Sequence, residues 1–295
     1  MIAKSPTPSV GLGQWLTKVF HSFEDLLAIF ALGVMVALPL AEIVIRPFIS
    51  GGIPGSIPFV EHLTLWVGFL GAALAARHGK LIALATASFI PDGPLRRATN
   101  IFSTTVAATV SAVLARAAVD IVAIEMDIGA EIALGVRTWV FQLVLPVSFI
   151  AIALRLMWRA GGWRARGVAA SGIIFALWLV PSFEILAGMA GWWIVVLVIV
   201  AALAGAPIFT VLGGLAVFLY MTEAIDPATV PLYAYDLATE PHLPAIPLFT
   251  LTGFILAQGK SSERLLRVFR ALVGWVPGGT AVVCAVVCAF FTIFT

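Results

Sequence analysis

Long apolar runs almost free of charge limit most strongly what this chain can fold into. Leu26–Ile45, Phe59–Ala76, Ala98–Ile121, Thr138–Met157 and Val168–Ala187 are such runs, separated by charged or Pro- and Gly-rich loops. Each is about 20 residues long, the length a helix needs to cross ~30 Å of hydrocarbon. Over all 295 residues, 61% are apolar and 11% charged. Water-soluble domains carry roughly 25% charged residues. The chain therefore lacks the polar surface for a globule in water, and it is too rich in Leu, Ile, Val and Phe to be disordered. The expected fold class is an all-α integral membrane protein. It would have about seven transmembrane helices, interfacial amphipathic helices and the first limb of a re-entrant hairpin.

Residues 1–22 lack the early apolar run and small-residue cleavage pattern of a signal peptide. Leu12, Trp15, Leu16, Val19, Phe20 and Phe23 share one helical face, and Gln14, Thr17, Lys18 and His21 the other. This spacing reads as an amphipathic helix on the membrane surface, or else as a partly ordered tail. The first run contains Pro39, which should kink it or mark a packing contact. Leu81–Ile90 is apolar but too short to cross, and reads as interfacial. Trp192–Tyr220 is interrupted by Gly205-Ala206-Pro207. It is either one long kinked helix or two segments joined by a tight turn. Four organisational pieces follow: an interfacial N-terminus at 1–22, a four-helix scaffold at 23–166, a connecting helix at 167–191, and a transport segment at 192–295.

Charge placement favours the two-segment reading. With a cytoplasmic N-terminus and two segments in Trp192–Tyr220, all but three of the seventeen basic residues fall inside. The acid-rich loops then fall outside, as the positive-inside rule requires. A single span would turn Lys260, Arg264, Arg267 and Arg270 outward. Two of the exceptions sit at i, i+4 spacing from an acid, giving the expected charge pairs Glu42–Arg46 and Arg116–Asp120. Intramembrane charges can mark a proton or substrate path, but these positions fit paired anchors near the outer headgroups. Glu184 and a lone His62 read as interfacial in the same way.

The far end carries two further features. Ser261–Gly274 reads as an amphipathic arm, with Leu265, Leu266, Phe269, Leu272 and Val273 opposite Arg264, Arg267 and Arg270. Ala281–Thr295 is apolar, and as a helix it would rise only about 22 Å. Helix carbonyls ending inside lipid have no partners, so this stretch reads as the first limb of a re-entrant hairpin whose continuation lies elsewhere. The alternative is an ordinary span cut short.

Other chemistries find little support. The four histidines are scattered, without HExxH spacing, and no GxxxxGK[ST] loop or GxSxG elbow is present. Cys284 and Cys288 are i, i+4 neighbours in an apolar run and suggest no disulfide framework. Neither an enzyme nor a resident cofactor is expected. Without a basic tail, nucleic acid is not an expected partner.

The stretch EHLTLW (61–66) followed by GFLGAALAARHGK (68–80), with Arg46 closing the first span, resembles the small membrane subunit of tripartite ATP-independent periplasmic (TRAP) transporters, the DctQ-like subunit. Lys80 departs from that pattern, where many members carry His. GAPIFTVLGG (205–214), AIPLFTLTGFILAQG (245–259) and SSERLLRVFRALVGWVPGG (261–279) resemble the N-terminal part of the large, DctM-like subunit. The resemblance implies a multi-pass protein of the bacterial inner membrane that imports organic acids, of dicarboxylate or sugar-acid type. It implies sodium as coupling ion, an elevator-type mechanism, and partnership with a periplasmic binding protein, membrane lipids and the remainder of the large subunit. The chain as given would then be incomplete for transport, with Thr292 and Thr295 approaching a sodium-site hairpin tip. The competing reading is a structural membrane scaffold with no transport activity of its own.

Overall fold

The computed structural model describes residues 12–48, 52–179, 192–260, 263–264, 267–268, 271 and 279–292. The chain divides into two compact units, Met1–Thr239 and Glu240–Thr295. This division falls later than the 191/192 boundary expected from the sequence.

The first unit opens with α1 (Leu12–Ile45), a single continuous helix. The segment expected to lie on the surface therefore runs straight into the first span, and Pro39 does not end the helix. α2 (Ser56–His78) stops at Gly79, whose φ of 68° lets its N–H turn back onto the carbonyls of Ala75 and Ala76. A 3-10 turn (Ala85–Phe89) fills the short apolar loop. α3 (Pro94–Ile128) is longer than the expected third span and takes Glu125 and Asp127 into its last turns. A small hairpin, β1 (Glu131–Ala133) with β2 (Val136–Arg137), leads into α4 (Thr138–Gln142) and α5 (Val144–Arg159). The break between them fits Pro146, which has no N–H to bond the carbonyl of Gln142. α6 (Trp163–Leu179) follows; the rest of the expected Val168–Ala187 span, including Glu184, lies outside the described residues.

Trp192–Tyr220 is broken in two, as α7 (Trp193–Leu203) and α8 (Ile208–Thr222). The chain folds back on itself here, because Val198 and Gly214 face each other across the hairpin. These helices are about 17 and 22 Å long, below the thickness of the hydrocarbon core. α9 (Thr229–Ala238) closes the first unit. Among the described residues, four helices are long and apolar enough to cross a membrane: Val19–Ile45, Ser56–His78, Pro94–Ile128 and Thr138–Arg159. Trp193–Leu203, Ile208–Thr222 and Ala245–Gln258 are shorter apolar helices of the same all-α architecture.

α3 is the hub of this unit and packs against α5, α6, α7, α8 and α9. Its buried face is small: Ala107, Ala108, Ser111, Ala112, Ala115 and Ala118. Lipid is as apolar as leucine, so helices associate through close packing of small residues rather than by escaping water. The glycines of α8 use the same device. A Cβ on Gly213 would lie 2.9 Å from Leu114 Cδ1, and one on Gly214 3.1 Å from Val110 Cγ2. Leu65, Leu114, Leu145 and Phe149 share one core with Val217 and Met221 of α8. Apolar side chains elsewhere face outward, among them Phe23, Leu26, Ile29 and Phe30 of α1, as a lipid-facing surface requires.

The second unit contains α10 (Ala245–Gln258) and α11 (Gly279–Thr292). Arg264 and Arg267 lie in helical backbone and are exposed. Arg270, and most of the amphipathic arm expected at Ser261–Gly274, lie outside the described residues.

Candidate functional site

The charged and polar side chains of the first unit gather at opposite ends of the bundle. At one end, three helices meet through Glu24, which is 7% exposed. Its carboxylate accepts from Arg155 at 2.5 Å and from Arg77 at 3.4 Å. Arg77 also pairs with Asp25 at 2.5 Å, and Arg155 donates to the carbonyl of Ala73 at 2.6 Å. Arg159 donates to the carbonyl of Ala76 at 3.1 Å. Two arginines over two acids clamp α1, several turns past its start, to the ends of α2 and α5. Arg155 and Arg159 thereby add side-chain donors to carbonyls near the end of α2. Lys80 follows the end of α2, Arg96 and Arg97 lie in the first turn of α3, and Arg164 and Arg166 in the first turn of α6, so this is the basic end of the bundle.

The opposite end is acidic and rich in aromatic side chains. Glu42 does not pair with Arg46, which corrects the expectation from i, i+4 spacing. Its carboxylate accepts from the backbone N–H of Ile53 at 2.8 Å and from the Ser56 hydroxyl at 3.1 Å. It thereby satisfies the entry to α2, where Gly55 supplies no side-chain cap. Gly52 sits at φ +68°, a conformation other residues adopt only with strain, and a Cβ there would push the Glu42 carboxylate from its place. Arg116 and Asp120 pair one turn apart on α3, both partly exposed.

His62 is buried and links two distant parts of the chain, so it is not a lone interfacial histidine. Its Nδ1 lies 2.7 Å from the carbonyl of Pro58, and its Nε2 2.8 Å from the Tyr235 hydroxyl. A carbonyl can only accept, so Nδ1 carries the proton; in the neutral ring Nε2 then accepts from Tyr235. Gln142 is buried, and its Oε1 has no hydrogen-bond partner. Burial, with Glu125 nearby, pushes the Tyr235 phenol up to about 12. Phe141 packs on the rings of Phe59, His62 and Trp66, and its carbonyl accepts from Trp66 Nε1 at 3.1 Å.

A third contact lies at the basic end. The turn between α7 and α8 docks on the loop before α3. Ile208 N–H donates to the carbonyl of Ile82 at 2.9 Å, and the Thr86 hydroxyl donates to the carbonyl of Leu203 at 2.9 Å. Among the described residues, no three His, Cys, Asp or Glu side chains come together in a group able to hold a metal. The Thr292 hydroxyl donates to the carbonyl of Cys288 at 2.7 Å within its own helix, and Thr295 lies outside the described residues.

The arrangement braces helices against one another. Two family models match the chain in succession. The DctQ component of tripartite ATP-independent periplasmic transporters matches residues 35–164, and the DctM component of the same transporters matches residues 194–295. The chain belongs to the TRAP transporter family. It joins a small membrane subunit to the N-terminal part of a large one in a single polypeptide. No curated protein matches the chain. This TRAP membrane component is a multi-pass protein of the inner membrane. The structural contacts gain meaning from the two matches. His62–Tyr235, Ile82–Ile208 and the packing of Gly213 and Gly214 on α3 all join the DctQ part of the TRAP chain to its DctM part.

Sequence reading did not find Glu24, Asp25 or Tyr235. For the acids a signal existed: two carboxylates at the start of an apolar run, on the side where arginines from other helices gather. Tyr235 carried no such signal.

Proposed function

We propose that this chain forms the membrane part of a sodium-coupled importer of organic acids, of dicarboxylate or sugar-acid type, working by an elevator-type motion. A periplasmic binding protein delivers the solute to the acidic end, and the N-terminus lies in the cytoplasm. The observation that carries this reading is that α7, α8 and α9, within the DctM match, pack into the same compact unit as the DctQ bundle, whereas residues 240–295 form their own. An elevator carrier needs one body that stays fixed and another free to move against it. The clamp of Glu24, Asp25, Arg77 and Arg155 and the His62–Tyr235 bond belong to the fixed body. On this reading Thr292 and Thr295 would approach the hairpin tip that takes sodium, and Arg264, Arg267 and Arg270 would belong to the arm that leads to it.

Uptake into proteoliposomes holding the complete membrane assembly tests the reading. Candidate organic acids are offered with and without a sodium gradient and with and without the binding protein. Uptake that needs both supports sodium-coupled import and names the solute. Absence of uptake by well-folded protein under any gradient supports the structural-scaffold reading instead.

A further inference from the structure

A cavity of about 700 Å³ opens at the basic end of the first unit, between the loop before α3 and the α7–α8 turn. Asp92, just before α3, and Arg96, Arg97 and Asn100 of its first turns line it, together with Leu84 and Ala204. Arg96 is held by Asp92 across one turn. Arg97 is exposed and forms no ion pair among the described residues. The wall of the cavity is therefore net positive. Leu84 of the lining is exposed, as are Ile82 and Phe89 on the same loop and Leu95 beside Arg96 in sequence, Ile82 to 77% and Phe89 to 84%. Four exposed apolar side chains beside free positive charge suit neither water nor hydrocarbon alone. They suit the boundary between them, where acyl chains meet headgroups.

We propose that this cavity binds the headgroup of one anionic phospholipid, with its acyl chains lying against Ile82, Leu84, Phe89 and Leu95. Charge complementarity selects an anionic over a zwitterionic headgroup, and the apolar surround selects a lipid over a free anion. Ala204 belongs to the DctM part and Arg96 and Arg97 to the DctQ part, so the lipid would sit at the seam between the two.

Native mass spectrometry of the intact chain, purified in neutral detergent and offered phosphatidylglycerol or phosphatidylcholine in mixed micelles, reads the preference. The wild-type chain is expected to retain one phosphatidylglycerol about tenfold more strongly than phosphatidylcholine. Arg96→Gln combined with Arg97→Gln is expected to bring the two lipids within about twofold. Equal retention by the wild type, or a preference that survives the double substitution, overturns the proposal. Displacement of phosphatidylglycerol by millimolar inorganic phosphate also overturns it, by assigning the cavity to a soluble anion. If the double variant does not fold, the wild-type chain is labelled with phosphatidylglycerol carrying a photoactivatable headgroup. Cross-links within residues 82–100 support the site, and cross-links confined elsewhere overturn it.

Discussion

The most consequential single side chain is Glu24. Its carboxylate holds two guanidiniums, with Arg155 and Arg77 only 14% and 15% exposed. Removing one partner of a nearly buried ion pair leaves the other charge desolvated, at a cost of about 3 kcal/mol. Glu24→Ala should therefore lower the thermal unfolding midpoint of the purified chain clearly, and Glu24→Gln should lower it less because an acceptor oxygen remains. Equal midpoints for Glu24→Ala and wild type would remove the clamp from the account. Tyr235 makes a pH-dependent prediction. A phenol raised from 10.0 to about 12 favours the folded state fully below pH 10, and that contribution is lost between pH 10 and about 12 as the folded-state group ionises. Tyr235→Phe should flatten this part of the stability profile, and an unchanged slope would contradict the burial of the Tyr235 phenol beside Glu125. Neither residue could be assigned from sequence alone: Glu24 and Arg155 are 131 positions apart, and His62 and Tyr235 are 173 apart. Glu42 shows the converse failure. Its i, i+4 neighbour was the obvious partner, but a loop returning through Gly52 placed the unpaired N–H of Ile53 closer.

At the scale of elements, the spans were legible because lipid leaves a chain few options: an apolar run of about 20 residues must be helical to satisfy its own backbone. The break at Gly205-Ala206-Pro207 was legible too, from turn residues and from the charge balance on either side. Helix ends were less so. α3 continues through Glu125 and Asp127, since acids tolerated on an exposed turn do not stop a helix. How α8 packs was not legible at all, because Gly213-Gly214 marks close approach without naming the partner. The structure names α3, with room for hydrogen only. Gly213→Val should thus force α8 away from Leu114 and destabilise the first unit by about 1–3 kcal/mol. Faster proteolysis between α8 and α9 would report that loosening, whereas wild-type resistance would show that α8 does not depend on the contact.

At the scale of the whole molecule, one chain holds a bundle with a basic and an acidic end, and the start of the DctM part is built into that bundle. Orientation is testable by thiol labelling from either side of sealed vesicles, in a background carrying Cys284→Ala and Cys288→Ala. Cysteines placed at Arg97 and Ala204 should label from the same side and one at Thr229 from the other. Labelling of Ala204 with Thr229 would contradict the hairpin topology. The central claim is that α7–α9 stay fixed on the DctQ bundle while the solute moves. The most direct measurement cross-links Thr86→Cys to Leu203→Cys, in the same cysteine-free background, within the complete assembly. The account predicts that sodium-driven uptake survives the cross-link, because both residues belong to the body that does not move. Loss of uptake on cross-linking, restored by reduction, would contradict it.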